Sequence, residues 1–513
     1  MSRTHAHGRS SGIDQPLLVA IDVGTTGARA MAIDLDARVV AEIRRPYPTR
    51  SPRPGWAEQD AREWADHAVG ALGALASRIR RPERVVGIGL TGQCPTVVPV
   101  DVRGRPVGPG MMYRDNRAAE EAGEMRRRIG AEQMHRRTGH TAEAFHIGPK
   151  VLWLRRHEPN LFRRTVRFLQ PRDVVVRRLT GRDATDESHA NATLFFDLRE
   201  RTWAPDLFEA FHLDPSLFPE ALSPWVVAAT LPRRVANEVK LRPGIPVVIG
   251  AGDSQCVAFG AGVVDPGAVS EMAGSSSCLN SAVLEPVRDL RVTHYSHAVP
   301  NRYTTELGLN TTGAAIDWAV SRLGYAGHGE LAADAERFRR RALRADGAGD
   351  VRELAPLFLP YLGDGERDDP RIRAGFLGLS FRHDRAALAF SVLEGIALGV
   401  SATIAILQAA GSPLDELRVG GGGARLPVLG RLKADVLGAP VLHLDGDSAA
   451  IGTALLAAEA TGLGSEVSGA VRRFLARGKR FRPSGAGREM EASRMAWFQE
   501  ARDAAAVHIG AVP

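Results

Sequence analysis

Cysteine is nearly absent from the 513-residue chain: Cys94, Cys256 and Cys278 form an odd set at wide spacing. That excludes a disulfide framework and a paired Cys-x-x-Cys metal site, and it points to a reducing, cytoplasmic setting. Lysine is almost as scarce. Of 66 basic residues only Lys150, Lys240, Lys433 and Lys479 are lysines, and the formal charge of +7 amounts to about one excess cation per 73 residues. So dilute a charge does not call for nucleic acid, and the runs Arg126 to Arg128 and Arg339 to Arg341 are expected on solvated helix faces. Residues 1–16 lack the apolar core of a signal peptide and read as a frayed tail. The longest apolar stretch, Ala386 to Ala410, carries Glu394 among many small residues. It is expected to be a buried helix rather than a membrane span, so no membrane partner is implied.

What is present is an ordinary globular balance, 44% apolar and 24% charged, over a length that suggests about three domain-sized units or two large ones with insertions. From Leu17 the segments "LLVAID", "ARAMAID" and "LDARVVAEI" are short apolar runs broken by turn residues, which predicts a β-meander with Gly24 to Gly27 in its first hairpin. An amphipathic stretch over Asp60–Arg80, capped by Asp60, precedes the strand-like "VVGIGL" at Val85 to Leu90. Strands then alternate with helices, the mark of an α/β class. A similar series restarts near Gly267 after the glycine-rich "PVVIGAGDSQCVAFGAG", so the chain reads as two α/β halves. Gly347 to Gly349 and Ser484 to Gly487 are expected as surface loops.

Three small-residue turns draw attention. In "DVGTTG", Asp22 stands at a strand end beside amides freed by Gly24 and Gly27, with the Thr25 and Thr26 hydroxyls alongside. Such a turn cradles phosphate oxygens while a carboxylate positions hydrated Mg²⁺, although an ordinary hairpin has the same form. "GSSS" at Gly274 to Ser277 and "NTTG" at Asn310 to Gly313 recur in the second half, which favours a polyphosphate held between two domains. "VGGGGA" at Val419 to Ala424 lies at a strand-to-helix junction, where missing side chains admit a flat ring or a phosphate, although a plain tight turn has the same composition. It matches neither a Rossmann fingerprint nor a Walker loop. Asp253, between Gly252 and Ser254 after an apolar strand, can face a cleft and accept the proton of an acceptor hydroxyl, although Asp at a turn is also common for purely structural reasons. "HYSH" at His294 to His297 lacks a third ligand and reads as structural.

The ordered set resembles the FGGY family of carbohydrate kinases, and within it the xylulose-phosphorylating branch. The resemblance rests on "AIDVGTTGARA", "GWAEQD" (Gly55 to Asp60), "GLTGQ" (Gly89 to Gln93), "YRDNRA" (Tyr113 to Ala118), "KVLWLRRHEPNLF" (Lys150 to Phe162), "GAGDSQ" (Gly250 to Gln255), "FLPYLGDGER" (Phe358 to Arg367), "FLGLSF" through "LEG" ending at Gly395, and "GGGA" (Gly421 to Ala424). It implies two actin-like, ribonuclease-H-like ATPase domains around an interdomain cleft, with an N-terminal domain over 17–262 and a C-terminal domain over 263–505. It further implies transfer from Mg-ATP to a terminal hydroxyl of a ketopentose, D-xylulose foremost. Another ketose or polyol (ribulose, L-xylulose, erythritol), or a regulator that binds sugar and nucleotide without turnover, is the alternative.

By the same carry-over Asp253 is the catalytic base. Asp22 and Asp253 hold Mg²⁺, partly through water. Gly24, Thr25, Thr26, Gly274, Ser275 and Ser276 contact phosphates, Gly313 lies near the nucleotide, Gly422, Gly423 and Ala424 border the adenosine, and Gln93, Cys94 and Pro95 face the sugar together with Asp253. A small-molecule sugar is the only partner implied, and homodimers are common among members. Three positions depart from the pattern. The loop reads "GQCPT" where xylulose-specific members usually have Met-His-Gly after the glutamine, the phosphate turn is "GSS" rather than Gly-Thr-Ser, and Ala387 stands where a polar residue is usual. Glycerol kinases carry an Arg-Glu pair after that glutamine; Cys94 and Pro95 supply no such charges, which disfavours glycerol.

Overall fold

The computed structural model describes residues 15–344, 354–363, 365–366, 369 and 371–508. The frayed-tail reading of residues 1–16 lies outside these except for its last two residues, and the loop expected at Gly347 to Gly349 lies outside them altogether. The chain divides into two compact units. The first holds residues up to Thr138, Ala142–Cys256 and Ala449–Phe474; the second holds Gly139–Thr141, Val257–Ser448 and the chain from Leu475 onward.

The sheet of the first unit contains β1 (Leu17–Val23), β2 (Gly27–Asp34), β3 (Val39–Pro46), β4 (Val85–Gly92), β5 (Val227–Thr230) and β6 (Pro246–Gly252), in the order β5-β6-β4-β1-β2-β3. The meander β1-β2-β3 is antiparallel, as its three runs and intervening turns require, while β4 and β6 join β1 in parallel. A central parallel strand must be covered on both faces, and β1 is buried along its whole length. Helix α1 (Ala61–Arg78) covers one face through Trp64, Ala68, Leu72 and Leu75. The Asp60 carboxylate caps it by accepting the Arg62 amide at 3.0 Å. On β4, a Cβ at Gly89 would stand 2.5 Å from the Thr453 carbonyl. Only glycine lets the late helix Ser448–Ala460 approach so closely, which is how a segment distant in sequence joins this unit.

The sheet of the second unit repeats the plan. It contains β7 (Gly267–Ala273), β8 (Ser277–Val283), β9 (Thr293–Ser296), β10 (Tyr303–Leu309), β11 (Leu414–Gly421), β12 (Val441–His443) and β13 (Lys479–Phe481), in the order β9-β10-β8-β7-β11-β12-β13. Again an antiparallel hairpin opens the sheet and two parallel strands follow on the far side of the first. Arg385–Ala409 forms one helix, buried along most of its length and capped by Asp384, whose carboxylate accepts the Ala387 amide at 2.8 Å. By length and composition it could cross a membrane, but 89% of its apolar window is buried inside the protein. Glu394 within it is ion-paired to Arg494.

Two local expectations differ. Ser484 to Gly487 is not a free loop: the helix Gly485–His508 starts there, and Asp435 accepts the Ser484 amide at 2.8 Å and its hydroxyl at 3.0 Å. Arg339 leaves the solvated face expected of its run and is buried against Asp435, an acceptor supplied by a helix 96 positions later.

Candidate functional site

In the first unit, β1, β4 and β6 run parallel and end together, so the residues just past their C-termini share one edge of the sheet. The register aligns Asp22 with Thr91 and Thr91 with Ala251, then Val23 with Gly92 and Gly92 with Gly252. Asp22, the loop starting at Gln93, and Asp253 are therefore brought to one end by backbone pairing alone.

The turn Gly24–Gly27 closes with the Gly24 amide donating to the Gly27 carbonyl at 3.1 Å. Its other carbonyls are drawn inward. The Tyr47 hydroxyl donates to Gly24 O at 2.6 Å, Gln59 Nε2 to Thr25 O at 2.7 Å, and the Tyr47 amide to Thr26 O at 3.2 Å. Burial, reinforced by the nearby Asp22 charge, keeps the Tyr47 hydroxyl protonated. With the carbonyls held inside, the Thr25 and Thr26 amides donate to no acceptor among the described residues, which is the arrangement that receives an oxyanion. Asp22 is paired across the hairpin with Arg29, whose Nε and Nη2 reach Oδ2 at 3.0 and 2.6 Å.

Gln93 departs from the expected sugar-facing role. It is 1% exposed, and its Nε2 donates to Gly24 O at 3.2 Å and to Gln59 Oε1 at 2.9 Å. The side chain ties its loop to the phosphate turn, leaving the half-buried Cys94 as the loop's outward part, while Pro95 is buried. Gln59 is the hub sequence reading missed: both of its amide donors and its carbonyl are occupied, by Thr25 O, Thr49, Trp64 and Gln93. It stands in the quoted "GWAEQD", where only Asp60 was given a role.

Asp253, half-buried, opens the helix Asp253–Gly260, and its Oδ1 accepts the Ser254 amide at 2.8 Å. Behind it the Gly252 amide donates to Ser188 Oγ at 3.0 Å, and Ser188 donates to Asp186 at 2.5 Å. Asp186 also takes Arg172 at 2.6 Å and His189 Nδ1 at 2.7 Å, all fully or almost fully buried. Burial alone would push the Asp186 carboxyl up; the Arg172 guanidinium, with His189 and Ser188, overrides it and holds the group well below the usual range. This charged network fixes the strand end that presents Asp253.

In the second unit the first hairpin repeats the device. The Gly274 amide donates to Ser276 O at 2.9 Å, Gly274 O accepts the Gly313 amide at 3.1 Å, and Ser275 O accepts the amides of Thr312 and Ala314 at 2.9 and 3.0 Å. The Ser275 and Ser276 amides are left without an acceptor among the described residues. The amide of Gly313 is taken up by the turn, so Gly313 shapes the site by closeness: a Cβ there would sit 2.3 Å from Gly274 O. A cavity of about 540 Å³ is lined by Gly274, Ser275, Gly313, Gly422 and Gly423, with Ile316, Leu426 and Leu429 forming an apolar wall suited to a flat ring. Ser276 is exposed on the turn, and Ala424 packs into the core beside the cavity. At the floor, Lys433 Nζ meets Glu271 at 2.7 and 2.5 Å, and Ser277 donates to Glu271 at 2.8 Å.

Asp22 and Asp253 are hard oxygen donors. No group of three or more His, Cys, Asp or Glu suited to a metal gathers among the described residues. A cation fitting this edge is one that binds through one or two carboxylates plus water and phosphate, as Mg²⁺ does. His297 is structural as expected, its Nε2 donating to Val263 O and its Nδ1 accepting the Val299 amide, both at 2.8 Å.

Residues 17–260 match the N-terminal domain and residues 270–461 the C-terminal domain of the FGGY family of carbohydrate kinases. The chain is 26% identical over 451 residues to a xylulose kinase of Staphylococcus xylosus, covering 86% of this chain and 90% of that protein. It is 30% identical over 470 residues to a glycerol kinase of Bordetella parapertussis, covering 88% and 90%. Among solved structures, the xylulose kinase from Rhodospirillum rubrum superposes with a TM-score of 0.85 at 29% identity, over 95% of this chain and 98% of that one.

Proposed function

Because the chain belongs to the FGGY family of carbohydrate kinases, with its two-domain fold, and is thereby a sugar kinase using ATP, we propose that its acceptor is a ketopentose, D-xylulose first, and its product xylulose 5-phosphate. The observation that carries the reading is the shared strand edge of the first unit, where the amides of Thr25 and Thr26, the Cys94–Pro95 loop and the Asp253 carboxylate are gathered by register. An alcohol attacks phosphorus poorly until its proton is accepted, and Asp253 is the carboxylate that accepts it. The turns Gly24–Thr26 and Gly274–Ser276 take phosphate oxygens on their outward amides. Gly313 and Gly422–Ala424 leave room for the nucleoside. Asp22 and Asp253 hold Mg²⁺, which when bound offsets charge on the transferring group. Xylulose is supported by the relatives named for it. The glycerol kinase relative favours a second reading, glycerol, against which stands the uncharged Cys94–Pro95 loop.

The test is acceptor-dependent ADP release from Mg-ATP across D- and L-ketopentoses, hexuloses, erythritol, ribitol and glycerol. Greatest kcat/KM on D-xylulose is expected, and a preference for glycerol or another polyol overturns the assignment. Asp253→Asn is expected to keep sugar and nucleotide binding while lowering kcat by at least about 10²-fold, the scale of a lost general base. Turnover near the parent level removes Asp253 from that role.

A further inference from the structure

Lys150 is one of four lysines in the chain and is completely buried, on the helix Ile147–His157. Its Nζ has no carboxylate within hydrogen-bonding reach among the described residues. Instead it donates to three backbone carbonyls from three separate segments: Met112 O at 2.7 Å, Phe145 O at 2.7 Å and Pro95 O at 3.4 Å. An ammonium has three N–H donors, so the protonated form meets three acceptors with none left over. A neutral amine has two. Losing the proton must release one carbonyl, and the longest contact, the one to Pro95, is the one to go.

Pro95 belongs to the loop assigned above to the acceptor sugar, and the inference rests on that reading. We propose that Lys150 is a positioning residue for the acceptor: its charged Nζ holds the Cys94–Pro95 loop in the shape that binds sugar, and deprotonation lets that loop relax.

The groups around Nζ allow this to happen near neutrality. Burial pushes the ammonium down to about 7, with Asp115 and Cys94 opposing the fall and Arg117 adding to it. Asp115 is itself held by Arg117 and the Ala57 amide and so is not free to pair with Lys150. His146 is pushed down to about 3 by burial and by Lys150, so it stays neutral throughout the range in question. The linkage sign separates loop positioning from general loosening. A lysine with a depressed folded-state pKa contributes stability that is present above the unfolded value and lost as pH falls through the folded one. Raising the pH from 6 to 9 therefore relieves the cost of burying Lys150 while it weakens the hold on the loop.

The test measures KM for the preferred acceptor, and separately for ATP, from pH 5.5 to 9 in the parent protein, Lys150→Arg and Lys150→Met. In the parent the acceptor KM is expected to rise roughly tenfold through a midpoint near 7, the scale of one lost hydrogen bond to a charged donor, with the ATP KM level. Arginine stays charged over the whole range, so Lys150→Arg is expected to remove the step, and it carries the test alone if Lys150→Met fails to fold. A step that persists in Lys150→Arg, or a parent KM that does not change with pH, overturns the proposal. Failure of the loop assignment shows separately, as an acceptor KM indifferent to Cys94→Met.

Discussion

Lys433 and Glu271 are 162 positions apart, and both are fully buried at the floor of the glycine-lined cavity. Glu271 also accepts from Ser277, the first residue after the phosphate turn. A buried ion pair gains little over an apolar pair, but removing one partner strands the other charge, which costs about 3–5 kcal/mol. Lys433→Met is expected to lower unfolding stability in urea by that order. Lys433→Met combined with Glu271→Gln should recover most of it; a single variant as stable as the parent refutes the pairing as a structural element. None of this was legible in the sequence. Lys433 stands in "KADVLG", at the end of an amphipathic run, and no local pattern tells a lysine that its carboxylate lies on another strand. Lys150, Arg29 and Gln59 were hidden for the same reason. Asp22, Asp253 and the glycine turns were legible because they are short-range: a strand, a turn and a small residue within a few positions.

At the level of elements, the meander from Leu17, the capped helix after Asp60 and the long helix from Arg385 follow from period, cap and turn chemistry that lie within each segment. Which atoms a turn presents did not follow. In both first hairpins the free amides result from carbonyls claimed by partners elsewhere: Tyr47 and Gln59 in one unit, the start of the helix Gly313–Arg322 in the other. This docking leads to a test. In Gly313→Ala the new Cβ meets the backbone carbonyl of Gly274 at 2.3 Å, and no side-chain rotation relieves a backbone clash. The helix must shift off the turn, carrying the Ser275 carbonyl's two donors with it. The KM for ATP is expected to rise by roughly tenfold or more, with the sugar KM unchanged. An unaltered ATP KM excludes Gly274–Ser276 as the phosphate contact.

Across the whole molecule the two units share a sheet plan and a glycine hairpin, yet their buried charges respond to pH in opposite senses. In the first unit Asp186 is held well below the ordinary range, chiefly by Arg172 working against burial. Its contribution is present above about pH 4 and is lost as pH falls through the depressed value. In the second unit Glu491 is 1% exposed, and neither carboxylate oxygen has a hydrogen-bond partner among the described residues. Burial and the nearby Glu394 charge raise it well above the ordinary range, outweighing Arg494 and Arg339. A raised carboxyl contributes stability below its unfolded pKa and loses it as pH rises through the folded one. Glu491→Gln keeps the neutral acid's shape without the charge, so it should stabilise the second unit at pH 7.5 and have little effect at pH 4.5. Each kcal/mol recovered is worth roughly 2–4 °C in the transition of a unit this size. Calorimetry at the two pH values, with hydrogen exchange on peptides from Val257–Ser448 and Ala142–Cys256 to assign the transitions, reads both effects. A gain of equal size at pH 4.5 and 7.5 means that folding leaves this carboxyl's pKa unchanged and that its burial costs nothing through charge. A gain confined to neutral pH, with the first unit unmoved, places the cost at this one carboxyl.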